Sequence, residues 1–228
     1  MHSYGQYCSL AKALDVVGDR WTMLIMRELL EQGPCRYTDL KNGLPGIATN
    51  LLSNRLRDLE SAGLIRREEA APPIATTLFH LTDAGRELEP ALIALAGWGV
   101  RYMAQPNHGD EFRSHWFAFP VSLFLHDSEP SGPPASIELR TTDRPAVIEV
   151  SGGSVRTRLG SVPAPDLVLS GIPRLILGLL SGHLSPAEAR DLGLEISGDI
   201  AVLQRLQRSV AEQAPAPGSV EADVGHDR

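Results

Sequence analysis

The stretch that decides the fold runs Arg36-Tyr-Thr-Asp-Leu-Lys-Asn-Gly43, then Pro45-Gly46, then Thr49-Asn-Leu-Leu-Ser-Asn-Arg-Leu-Arg-Asp-Leu-Glu-Ser-Ala-Gly63, then Leu64-Ile-Arg-Arg-Glu-Glu69. Its first piece reads as a short helix, and Pro45-Gly46 as a tight turn. Thr49-Asn50 caps a second helix with Leu52, Leu56 and Leu59 on one face, ended by Gly63. Leu64–Glu69 looks like a strand, and Thr76–Leu81, alternating in character, reads as the return strand of a hairpin. Two short helices, a turn and a two-stranded wing make a winged helix-turn-helix.

Working outward, Leu10, Leu14, Val17 and Trp21 recur at helical spacing, with Gly18 as the stop. Trp21, Leu24, Ile25 and Leu29 mark one face of the next helix, and Gly33-Pro34 ends it. Past the wing, Thr82-Asp83 caps a long helix. Its apolar positions Ala84, Leu88, Ala91, Leu95, Trp98 and Tyr102 repeat with a period near 3.5, the seam that packs another helix. Pro90 predicts a kink or break in it.

Function follows from the face opposite the leucines. A helix that enters the major groove carries short polar side chains and arginine near its N-terminus. Here that face offers Thr49, Asn50, Ser53, Asn54 and Arg57, with Arg55 beside it. Ser and Thr bond to bases or phosphates, Asn suits adenine and Arg suits guanine. Arg36 begins the preceding helix and is read as a phosphate contact, and Thr38 of that helix is a further candidate for DNA contact. Of Arg66 and Arg67, alternation lets only one face DNA, and Arg67 is taken for that role.

The charge balance first argues otherwise. The 228-residue chain has net charge −7, and nucleic-acid-binding domains are expected to be basic. The acidity is uneven, however. Residues 1–104 hold 11 basic and 12 acidic residues, against 10 and 16 in residues 105–228. Residues 34–67, a window that stops before Glu68 and Glu69, carry a local +3. Composition, 43% hydrophobic and 21% charged, is ordinary for a globular chain. No apolar run reaches the ~18 residues of a membrane span. The N-terminus lacks a basic start and an apolar core, so a cytoplasmic location without membrane contact is expected. Two cysteines, Cys8 and Cys35, make no disulfide framework. Neither a catalytic motif nor His/Cys metal spacing appears, so neither an enzyme nor a cofactor nor a metal is expected.

The first half resembles the HxlR family of bacterial winged-helix transcriptional regulators. The resemblance rests on Cys8, Gly18-Asp-Arg-Trp-Thr22, Arg36-Tyr-Thr-Asp-Leu40, the run Gly46–Ile65, Leu81-Thr-Asp-Ala-Gly-Arg-Glu-Leu-Glu-Pro90 and Trp98. It implies a homodimer on two-fold symmetric operator DNA, with Leu10, Leu14, Leu95, Trp98 and Tyr102 at the dimer interface. Some members of that family sense oxidants through a cysteine near the N-terminus, which makes Cys8, four residues before Lys12, a redox candidate.

The second half opens with the aromatic-rich run 111–126, expected to be helical on either side of Pro120. Strands follow over 136–141, 145–151, 153–160 and 166–170, then helices over 172–181 and from Ser185, a short strand at 194–197 and a last helix from Asp199 to about Glu212. Asp166-Leu-Val-Leu-Ser-Gly171, Leu179-Leu-Ser-Gly182, Leu184-Ser-Pro-Ala-Glu-Ala189 and Gly198-Asp199 make it similar to sterol-carrier-protein-type domains. That resemblance implies an apolar cavity between sheet and helices, with Phe117, Phe119, Leu123, Ile176 and Leu180 as candidate contacts for a small apolar effector; the same side chains also suit a solid core. The expected class is α+β. Residues 1–104 form a winged-helix DNA-binding and dimerisation domain, 111–212 an α/β regulatory domain of sterol-carrier type, and 213–228 a disordered tail. The competing reading is a lipid carrier whose winged domain serves protein contacts.

Overall fold

The structure is a computed structural model that describes residues 3–71, 76–103 and 109–208, without the side chains of Arg101, Ser122, Leu123, Phe124 and Arg208. The expected tail over 213–228 and the Leu123 side chain lie outside the described residues.

Helix α1 (Ser9–Val17) buries only Ala11 and stops at Gly18, whose N–H returns to the Leu14 carbonyl at 2.9 Å. Helix α2 (Thr22–Gln32) buries Ile25, Met26, Glu28 and Leu29 and ends at Gly33, where φ is +73°. Leu24, expected on that inner face, is 41% exposed, because the buried stripe runs through Ile25 and Met26 instead. Trp21 precedes the helix at φ +79°, packs against the core from its edge, and sits beneath the Arg20 guanidinium.

Strand β1 (Cys35–Arg36) leads into α3 (Tyr37–Gly43), whose first turn is held by the Asp39 carboxylate accepting the Arg36 backbone N–H at 2.9 Å. A turn with Gly46 at φ +82° connects to α4 (Thr49–Ser61), which buries Leu52, Leu56 and Leu59. Ala48, not Thr49, occupies the cap, so Thr49 and Asn50 are the first helical residues, and the Asn50 side-chain oxygen accepts the Leu51 backbone N–H at 2.9 Å. Strands β2 (Ile65–Glu69) and β3 (Thr77–Leu81) pair antiparallel with Arg67 opposite Phe79, and β1 joins the far edge of β3.

Thr82 caps α5 (Asp83–Arg86) by accepting the Gly85 N–H at 3.1 Å. The expected long helix breaks there. A new helix, α6 (Glu89–Gly99), starts with Pro90 in its first turn, where a missing N–H costs nothing. A 3-10 turn over Val100–Tyr102 follows.

The second half begins with a 3-10 turn, Ser114–Phe117, that runs directly into α7 (Ala118–Phe124), so Pro120 lies in the first turn of one helix rather than between two. Next come β4 (Leu125–Asp127), β5 (Ala135–Arg140), β6 (Ala146–Ser151), β7 (Ser154–Leu159) and β8 (Leu167–Ser170). Helices α8 (Pro173–Leu180) and α9 (Pro186–Asp191), strand β9 (Glu195–Gly198), helix α10 (Val202–Arg205) and strand β10 (Leu206–Arg208) complete the order. The main sheet is ordered β7-β6-β5-β8-β9, with β5 and β8 parallel and the other neighbours antiparallel. The final helix is only four residues long. β10 turns back to pair with β4, and Arg205 bonds Asp127 through Nε and Nη2 at 3.1–3.2 Å, both side chains buried. A buried arginine with no such partner would be prohibitively costly, so this pair ends the helix early and closes the domain.

Two buried cores result, one per domain. Phe117, Ile176 and Leu180 belong to the second, where they pack with Ile137, Leu139 and Leu169 as a solid interior. Phe119 belongs to the other. It reaches into the winged-helix core with Leu92 and Phe79, so it does not line a cavity of the second domain. Among the described residues, no helix is long and apolar enough to cross a membrane.

Candidate nucleic-acid interface

The N-terminal half of α4 presents a polar face. Thr49, Asn50, Asn54 and Arg57 are exposed and Ser53 is half-buried, while the leucines behind them anchor the helix. Arg57 reaches the Asn54 side-chain oxygen through Nη2 and the Ser53 carbonyl through Nε at 3.5 Å. Tyr37 of α3 donates its hydroxyl to the Thr49 carbonyl at 2.8 Å and lies 3.4 Å from the Ser53 hydroxyl. That contact pins the start of α4 against α3. Lys41 closes the turn by donating to the Ile47 carbonyl. Tyr37 and Lys41 are positioning residues that the pattern of polar positions did not mark.

Arg36 and Thr38 are exposed at the start of α3. Arg67 projects from the wing toward α4, where Glu60 accepts from its Nε and Nη2 at 2.8 and 2.5 Å; its guanidinium also lies 5.9 Å from the Phe79 ring centre. Arg66 pairs with Glu68 along the same strand. Arg55 differs from the others. Its Nη1 donates to Asp19, between α1 and α2, and to Asp58 at 3.0 Å. It is four-fifths buried, so it braces α4 from behind and does not extend the outward face.

A second polar constellation lies where the two domains meet. Glu28, wholly buried in α2, accepts from Arg27 Nε at 2.9 Å and Nη2 at 2.5 Å, from Gln32 Nε2 at 2.7 Å and from Trp116 Nε1 at 2.9 Å; His115 Nε2 lies 2.7 Å from its Oε2. Arg27 also stacks on the Trp116 ring at 4.4 Å. Burial pushes the Glu28 carboxyl up, but the His115 hydrogen bond, the Arg27 charge and the Trp116 N–H outweigh it and hold the group below its usual range. Gly43 of α3 is part of the fit, since a Cβ there would lie 1.9 Å from Glu28 Oε2. Arg113 adds a bond to the Asn42 carbonyl at 3.2 Å. Sequence reasoning missed this site. Its available signal was Glu28 itself, a carboxylate on the apolar stripe between Ile25 and Leu29.

The apolar residues proposed for a dimer face are all exposed: Leu10, Leu14, Leu95, Trp98 and Tyr102. Tyr4, Tyr7 and Met103 are exposed too. Trp98 and Tyr102 pack ring to ring at 5.2 Å. Cys8 is exposed at the start of α1, where the backbone N–H groups of Ala11 and Leu10 lower its thiol pKa. Lys12, the expected cause, pairs with Asp15 at 3.7 Å instead. Cys35 is buried, and burial first, then the charges of Asp39 and Glu28, push its thiol up to about 12.

A family model, the HxlR-like helix-turn-helix, matches residues 16–107. An uncharacterized HTH-type transcriptional regulator of Synechocystis sp. is 35% identical over 103 residues, which is 45% of this chain and 76% of that protein. A relative with the same description in Mycobacterium bovis is 40% identical over 43% of this chain and 61% of its own length. Another, from Methanothermobacter thermautotrophicus, is 33% identical over 46% of this chain and 79% of its own. Among solved structures, the redox regulator HypR in its reduced form shares 27% identity over 42% of this chain and 95% of that chain, at a TM-score of 0.39. The chain belongs to the HxlR-like helix-turn-helix family of transcriptional regulators.

Proposed function

We propose that the protein is a cytoplasmic homodimeric transcription factor that inserts α4 into the major groove of a two-fold symmetric operator. The observation that carries this is the outward face of α4: exposed Thr49, Asn50, Asn54 and Arg57, with Ser53, over a buried leucine face. Family membership supports it. In this reading Asn54 and Arg57 contact base edges, and Arg36, Thr38, Thr49 and Asn50 contact phosphates. Arg67 reaches a phosphate by exchanging Glu60 for DNA, and Arg55 acts indirectly by holding the helix. Dimerisation covers Leu10, Leu14, Leu95, Trp98 and Tyr102, and sets the half-sites about 10 bp apart or more.

Residues 111–208 serve as the regulatory domain. Its five-stranded sheet with α8 and α9 fits the α/β layering of the sterol-carrier reading, but a ligand between sheet and helices would have to part Phe117, Ile176 and Leu180, which are already packed. Control through Cys8 is supported by its exposure and lowered thiol pKa.

Selection of full-length protein against a random DNA pool tests the proposal. The expected result is an enriched two-fold symmetric site whose binding weakens steeply with salt. A pool with no enriched site, alongside uptake of apolar ligand that salt does not weaken, would overturn it in favour of a lipid carrier.

A further inference from the structure

Helix α1 carries Leu10 and Leu14, two of the side chains placed at the dimer face, yet its one buried residue is Ala11. A helix with so little buried apolar surface is held only weakly by packing within its own chain. Its orientation therefore depends on the corner, residues 18–21, that joins it to α2. By contrast α6, the other helix of the proposed dimer face, is seated in the winged-helix core by Leu92.

Contacts on both sides fix that corner. Gly18 passes so close to α1 that a Cβ there would lie 2.5 Å from the Leu14 carbonyl oxygen. Trp21 is the one non-glycine residue with positive φ among the described residues, in a region that bulky side chains rarely adopt. The tip of its ring reaches the turn between α3 and α4, 4.0 Å from where a Cβ on Gly46 would stand. Between Gly18 and Trp21, the Asp19 carboxylate accepts from Nη1 of Arg55, which also donates to Asp58 at 3.0 Å. Most of the Arg55 side chain is buried, so solvent ions screen this link less than a surface ion pair. Arg55 lies on α4 between Asn54 and Arg57, the side chains proposed to contact bases. The corner of the dimer helix is thus gripped by the reading helix itself.

We infer that Asp19 is a positioning residue for DNA recognition: by holding Arg55 it fixes the angle between α1 and α4, and with it the half-site spacing that the dimer accepts. A two-fold dimer places its reading helices at a separation set by its own geometry, so the spacing in the DNA reports that geometry. The inference rests on the proposed dimeric operator binding and adds a determinant to it. Without the Asp19 carboxylate, each α4 keeps its base contacts, but the two copies are no longer held at one separation.

The test starts from the site that the full chain enriches from a random DNA pool. Parent and Asp19→Ala are then compared on a second pool, in which the enriched half-sites are fixed and the spacer between them varies in length. The parent should prefer one spacer at least about tenfold over those about two base pairs longer or shorter. In Asp19→Ala that preference should fall to about threefold or less, with the base preference inside each half-site unchanged. The Asp19 side chain is half exposed, so the variant should melt within about 4 °C of the parent. A variant that keeps the parent's spacing profile, or that loses affinity equally at every spacing, overturns the inference and leaves operator binding standing. A parent that enriches no two-fold site overturns the dimeric reading, and this inference with it.

Discussion

The Glu28 carboxylate in the winged-helix core lies 2.7 Å from His115 Nε2 in the second domain, and both side chains are buried. The pair joins the helix that precedes the helix-turn-helix to the first turn of the second domain. Three further side chains of the cluster donate to the same carboxylate, and each loses an acceptor if it is removed.

Glu28→Ala should therefore destabilise the whole chain, on the order of 2–4 kcal/mol or about 5–15 °C in Tm at pH 7. The carboxyl is held below its unfolded value of 4.5, so its stabilisation is present above that pH and is lost as pH falls through the folded value. Thermal melts should show the gap between parent and variant closing below pH 4.5. A gap that is constant with pH would disprove the charge's role.

Glu31 has the opposite sign. Its carboxyl is raised from 4.5 to about 7, so the folded state holds the proton more tightly and stability falls as pH rises across that window. Glu31→Gln should leave Tm nearly unchanged at pH 4.5 and raise it by roughly 2–6 °C at pH 8. Equal effects at both pH values would count against the assignment.

The two arginines of α4 should separate cleanly. Arg57→Ala should cost operator affinity about 1–3 kcal/mol and relax base preference, with Tm nearly unchanged. Arg55→Ala should lower Tm by a few degrees, because Asp19 and Asp58 lose their partner. Gel-shift competition with single-base operator variants, run beside melting curves, reads both effects.

If the proposed dimer face is the interface, Leu95→Asp together with Trp98→Asp should give a monomer by sedimentation equilibrium, since both side chains are about half exposed in the single chain. Operator affinity should drop steeply with it, as each half-site then binds alone. A double variant that still sediments as a dimer would place the interface elsewhere.

Cys8 and Cys35 should differ in alkylation. Iodoacetamide at pH 7 should modify Cys8 alone in the folded protein, with Cys35 reacting only after denaturation. Peptide mass mapping reads the result, and early modification of Cys35 would contradict its burial.

The winged helix was legible because leucines at Leu52, Leu56 and Leu59, the Pro45-Gly46 turn and the alternating wing are all local signals. So was the break before Pro90. The capping residue of α4 was misplaced by one, and the last helix was drawn too long. The Asp127–Arg205 pair that shortens it joins residues 78 apart, beyond any local pattern. Phe119 was assigned to the wrong core for the same reason: periodicity says that a residue is buried, not which domain buries it. The Glu28 cluster draws on both halves of the chain, so its members could not be grouped until the halves were docked.

Gly43 ends the first helix of the DNA-reading motif, yet its side-chain space is filled by the Glu28 carboxylate. In a saturation scan of this chain, every replacement at Gly43 should score as damaging, and the pattern would be mistaken for a demand of the nucleic acid. The demand comes from Glu28 and Gln32 of α2, and the carboxylate that fills this space is held from the other side by His115 and Trp116 of the second domain.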